Sequence, residues 1–155
     1  MTDLFISEAD SALLARRLAE FAVFKAERLP VLHQFVEAIG GENAYEVLIA
    51  PAKFLPLLER AFNHLEVEEH NRIWLITRIG YFIGEYLLTA YDGCWQVDED
   101  PRSTAFARYV VGEFSYPPRP GLSVDPFDIA QRYVDGALPR SLAGEIERGV
   151  QAHQG

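Results

Sequence analysis

The stretch NRIWLITRIGYFIGEYLLTAYD, Asn71 to Asp92, decides how the rest of the chain is read. Helix geometry places successive residues about 100° apart. On that wheel Asn71, Arg78, Glu85, Thr89 and Asp92 form one narrow polar stripe, flanked by Trp74, Tyr81 and Phe82. The remainder is apolar or small, and a helix so apolar around its circumference is buried by several neighbours. Gly80 and Gly84 sit mid-helix, where each costs roughly 1 kcal/mol against Ala. They share a face with Ile73, Ile76, Leu87 and Tyr91, and the expected compensation is close approach of another backbone. The same spacing occurs in membrane helices, but Arg78 and Glu85 would both lie near the bilayer midplane, so a transmembrane reading fails. Gly93 follows and suits a left-handed C-terminal cap.

Glu85 shares its stripe with Arg78, two turns and about 10 Å away along the axis, too far for a tight pair. A buried Glu85 therefore needs another partner, and Arg108 and Arg132 are the expected ones. Two readings stay open. In one, Glu85 belongs to a structural ion pair or a solvated stripe. In the other, it is a ligand-binding or acid/base carboxylate in a pocket between helix and hairpin, with Arg78, Arg108 and Tyr109 beside it.

A length of 155 residues fits a single domain, with a helical N-terminal part over 1–66 and a helix–hairpin–helix part over 67–155. Hydrophobic content of 49% and aromatic content of 12% support a folded core. The formal charge of −9 argues against nucleic acid and anionic membrane as partners and permits a basic protein partner, although many bacterial cytosolic proteins are simply acidic. One cysteine, Cys94, leaves no internal disulfide and no cysteine-rich zinc site. The opening MTDLFISEAD lacks a basic n-region and a long apolar core, so no signal peptide is expected and a cytoplasmic location is the default.

The fold class that emerges is α+β and predominantly helical. Ser7 and Asp10 resemble a capping box ahead of a helix from about Glu8 to Glu27. Leu29-Pro30 breaks it, and Pro30 opens a second helix that Gly40-Gly41 stops near Ala38 or Ile39. Glu42 to Ala50 reads as a short strand or a helical turn. Pro51 and Pro56 bracket the start of a helix ending near Leu65, with Leu57, Leu58, Ala61, Phe62 and Leu65 inward. The central helix covers 70–92. A small antiparallel hairpin follows over 94–98 and 105–114, turning through Asp98, Glu99, Asp100 and Pro101. Pro117, Pro118, Pro120 and Gly121 read as a stiff exposed loop. Asp125-Pro126, with Asp128 at the third position, starts one C-terminal helix that ends at Gly136; another runs from about Ser141 to Ala152.

Chemistry-bearing motifs are sparse. His64-Leu-Glu-Val-Glu-Glu-His70 holds metal-ligand residue types without the spacing of a zinc helix, and Asp98 to Asp100 lacks the rest of a calcium loop, so no metal is expected. His33 and His153 join no cluster. Cys94 follows a helix C-terminus, where the dipole disfavours a thiolate, and is expected to be a partly buried, inert thiol. Ser11, Ser103, Ser115, Ser123 and Ser141 lie in no nucleophile-elbow context, and no phosphate loop exists. No cofactor and no catalytic residue is assigned. Trp74, Tyr81, Phe82, Tyr86, Trp95, Phe106 and Tyr109 line either a pocket or the core.

Gly80-x-x-x-Gly84-Glu85, Gly93-x-Trp95, the acidic turn at Asp98 to Asp100 and Pro126-Phe127-x-x-Ala130-x-Arg132 together resemble the DUF3806-like group of small bacterial domains. The resemblance covers Asn71 to Gly136. It implies a fold, a structural role for Gly80, Gly84, Glu85 and Trp95, and a setting among bacterial toxin–immunity or secretion systems. Three functional classes follow. The first is a non-enzymatic protein-binding or immunity-type inhibitor that docks through Glu66, Glu68 and Glu69 with His70, through Asp98, Glu99 and Asp100, and through Tyr116 to Gly121. The second is a small-molecule-binding domain or minor enzyme around Glu85. The third is a structural subunit forming a homodimer through the Gly80/Gly84 face.

Overall fold

The computed structural model describes residues 6–115 and 118–151. It is predominantly helical, with a small antiparallel sheet. Helix α1 spans Glu8–Ala38, and the hydroxyl of Ser7 caps it by accepting from the Asp10 amide at 3.0 Å. The expected break at Pro30 does not occur. Helix α1 continues through it without the hydrogen bond to the Ala26 carbonyl that proline cannot donate. Burial of Phe24, Leu32, Phe35 and Val36 on one face offsets that loss, and the expected α-hairpin is a single rod.

Ala44–Leu48 and Pro51–Phe54 are short 3-10 turns, and helix α2 covers Leu55–Phe62. Leu58 and Phe62 are buried, whereas Leu65 lies past the helix and is exposed. Another 3-10 turn, Glu69–Asn71, leads into α3, Arg72–Ala90. Helix α3 is the core of the molecule: Leu75, Ile76, Ile79, Phe82, Ile83 and Leu87 are all buried. Its first turn is not enclosed, and Ile73, expected on the buried glycine face, is 66% exposed.

The two glycines of α3 receive aromatic rings rather than a backbone. A Cβ at Gly80 would stand 2.2 Å from the Phe127 ring, and one at Gly84 would stand 1.8 Å from the Trp95 ring. That face is therefore filled from within the chain, which removes it as a surface for a second copy. At the C-terminus the left-handed position falls on Asp92 (φ 51°), not on Gly93 as expected; Gly93 instead donates to the Leu88 carbonyl at 3.2 Å. Aspartate tolerates that conformation, while a Cβ on Gly93 would lie 2.8 Å from Val111.

The sheet has the order β1 (Cys94–Val97), β2 (Tyr109–Ser115), β3 (Pro118–Val124), all antiparallel. Trp95 pairs with Val111 and Val97 with Tyr109. The third strand replaces the expected proline-rich loop. Prolines are tolerated there because β3 is an edge strand, and the register slips between Gly112 and Phe114, where Glu113 takes a positive φ of 55°. Tyr116 and Pro117 lie outside the described residues.

Helices α4 (Pro126–Asp135) and α5 (Leu142–Gln151) close the fold. Asp125 caps α4 as expected, accepting from the amides of Phe127 and Asp128. Tyr133 of α4 donates to Asn63 at 2.6 Å, and burial pushes its phenol well above the usual range. Among the described residues, no helix is long and apolar enough to cross a membrane.

Candidate functional site

Glu85 is only 4% exposed. Its Oε2 accepts from Arg28 Nε at 2.7 Å and from Trp95 Nε1 at 2.8 Å. The carboxylate thus ties α1, α3 and β1 together at one atom. The cation comes from α1, not from Arg108 or Arg132. Arg108 pairs with Asp125 at 2.9 Å, and Arg132 with Asp128 at 3.1 Å, one turn away on α4. Arg28 lies among Phe24, Leu32 and Phe35 on the inward face of α1, and a lone arginine on an apolar helix face is the signal that could have identified it.

Around this pair the aromatic residues form core. Phe24 stacks on Tyr109 with centroids 4.1 Å apart, meets Trp95 edge-on at 5.0 Å and Tyr81 at 5.4 Å. Phe127 adds its ring 5.7 Å from Tyr81. Burial raises the phenol pKa of Tyr81 and of Tyr109. The four residues expected at a ligand pocket are not brought together. Arg78 lies over the Trp74 ring, Arg108 is at Asp125, and the Tyr109 hydroxyl donates to the Arg17 carbonyl at 2.9 Å.

Two clefts do exist, and Glu85 lines neither. One, of 1120 Å³, runs between β3 and α4 and is lined by Arg108, Arg119, Arg132, Asp125, Asp128 and Glu145. Burial raises the Asp125 carboxyl pKa despite the opposing effect of Arg108. The other, of 780 Å³, lies across the Pro120-Gly121 ridge and carries Asp98, Glu99, Asp100 and Glu113. Asp98, expected to be exposed for a partner, is 8% exposed and turned inward, accepting from the Asp100 amide at 2.9 Å and the Ser103 hydroxyl at 2.6 Å. Glu99 and Asp100 remain on the surface. Cys94 is exposed rather than partly buried. Among the described residues, no group of three or more His, Cys, Asp or Glu is placed to hold a metal ion.

The surface around the start of α3 differs from both clefts. Glu66, Glu68, Glu69 and His70 are exposed, and Ile73 and Trp74 follow them into solvent. Trp74 is 49% exposed, yet its ring is held. The Arg78 guanidinium sits 4.3 Å from its centroid, and Phe35 meets it edge-on at 5.9 Å. Arg72 fixes the same turn to the end of α4 through two 2.6 Å hydrogen bonds to Asp135.

No protein-family model, curated protein or solved structure matches this chain. Within the chain, Trp95 lies against Gly84 and donates to Glu85, and Phe127 lies against Gly80.

Proposed function

We propose that this chain is a non-enzymatic, cytoplasmic protein-binding module, of the immunity-inhibitor kind, that recognises a basic, apolar surface on its partner. The observation that carries the reading is Trp74: large, half in solvent, and already fixed in one orientation by Arg78 and Phe35. Aromatic anchors of this sort dominate interface energetics, and a pre-ordered one loses little entropy on binding. Glu66, Glu68 and Glu69 precede it and supply charge that attracts a basic partner and orients its approach. Glu85 Oε2 already accepts from Arg28 and Trp95 inside the fold, which favours this reading over a small-molecule site built around that carboxylate.

Affinity capture from the native host, with wild type and Trp74→Ala in parallel, tests the reading. The wild type retains a stoichiometric protein, and the variant loses about 2 kcal/mol of its binding. Charge reversal at Glu68 and Glu69 slows association and flattens its salt dependence. An immunity role requires further that the captured protein be a toxin whose activity the chain suppresses. Capture of no stoichiometric partner, or of one held equally by Trp74→Ala, overturns the proposal.

A further inference from the structure

The cleft between β3 and α4 is the larger of the two, at 1120 Å³, and neither Glu85 nor Trp74 lines it. That volume suits an organic molecule rather than a bare ion. Its lining divides by chemistry. Val110 and Ile129 are buried and Leu122 is half-buried, which gives the cleft an apolar part. Arg108, Arg119 and Arg132 supply guanidiniums, and Asp125, Asp128 and Glu145 supply carboxylates. Each carboxylate has its own cation. Asp125 Oδ2 is 2.9 Å from Arg108 Nε, Asp128 Oδ2 is 3.1 Å from Arg132 Nε, and Glu145 pairs with Arg148.

The two signs differ in what they leave unspent. Asp125 already accepts two amides as the cap of α4 as well as facing Arg108. Arg108 and Arg132 touch their carboxylates through Nε, and among the described residues neither makes an aligned hydrogen bond. Arginine carries five N–H donors in a planar fork, so the Nη groups of both remain available beside the carboxylates that hold them. Asp125 and Asp128 stand three residues apart at the start of α4, which brings these two forks to one end of that helix. The hydroxyls of Thr104 and Ser123 also line the cleft and, among the described residues, have no hydrogen-bond partner.

We infer that this cleft binds an organic monophosphate, its phosphate oxygens taken by the Nη groups of Arg108 and Arg132 and its apolar body laid along Val110, Leu122 and Ile129. A guanidinium fork matches phosphate oxygens two at a time. A phosphate monoester brings three terminal oxygens and close to two negative charges near neutrality, enough for both forks. A lone carboxylate would satisfy one.

Calorimetric titration of the full chain with phenyl phosphate, with inorganic phosphate and phenol in parallel, tests it. Phenyl phosphate binds one per chain with a Kd below about 1 mM. Inorganic phosphate competes more weakly, and phenol does not bind. Arg132→Gln, at a side chain 64% exposed, weakens phenyl phosphate about tenfold and leaves thermal unfolding unchanged. Arg108→Lys keeps a cation opposite Asp125 but loses the fork, and weakens binding to a similar extent. Trp74→Ala binds phenyl phosphate like the wild type, which separates this site from the protein-binding surface. No saturable binding up to about 10 mM overturns the inference. So does an affinity unchanged in both arginine variants, or phenol bound as tightly as phenyl phosphate.

Discussion

Glu85 Oε2 receives donors from residues 57 and 10 positions away in the chain, and this accounts for a charge in the middle of the most apolar helix. A buried ion pair adds little over an apolar substitute, but removing one member strands the other and costs about 3–5 kcal/mol. Arg28→Ala and Glu85→Ala should each lose that much in urea denaturation. The double variant should lose far less than their sum, giving a coupling above about 1 kcal/mol. Additive losses would mean that the two side chains act independently. Asp135 gives a second test, of pH dependence. Its hydrogen bonds to Arg72 hold its carboxyl below the usual aspartate range. The stabilisation is therefore complete above the ordinary value of about 3.9 and is lost as pH falls through the depressed one. Asp135→Asn should flatten the acid limb of the stability curve in that window while leaving its slope near neutrality unchanged.

At the scale of elements, Pro30 is the residue whose local rule the fold overrides. Replacing it by Ala restores a donor to the Ala26 carbonyl at an exposed position, and should stabilise the chain by about 1–3 kcal/mol in thermal or urea unfolding. Loss of stability would show that α1 needs the proline's geometry to lie along α3. The contrast with α3 explains what the sequence discloses. The enclosure of α3, the Ser7 cap and the Asp125-Pro126 start of α4 are legible because each depends on residues within one or two turns. Three features are not. Helix α1 passes through Pro30 because distant packing outweighs one missing hydrogen bond. Strand β3 forms from a proline-rich run because an edge strand can leave donors unmatched. The counter-ion of Glu85 lies on another helix, and no spacing rule within α3 points to it. The glycine face was legible as a notch, but its occupants, the rings of Phe127 and Trp95, were not. The candidate surface at Glu66 to Glu69 was legible as an acidic run; that Ile73 and Trp74 extend it depends on where the body of the molecule ends.

For the molecule as a whole, the groups that hold the fold together are separate from the surface proposed for recognition. The carboxylate that looked most suited to chemistry locks three elements together, while the Trp74 surface lies outside the core. That surface depends on one central claim: α3 is enclosed from Ile76 to Leu87, and everything around it is built on that rod. Hydrogen exchange of the full chain at low micromolar concentration tests this most directly. Amides from Ile76 to Leu87 should exchange only through global unfolding, whereas those of residues 8–20 should exchange through local opening, orders of magnitude faster. Exchange of the 76–87 amides at the rate of the 8–20 amides would contradict the account.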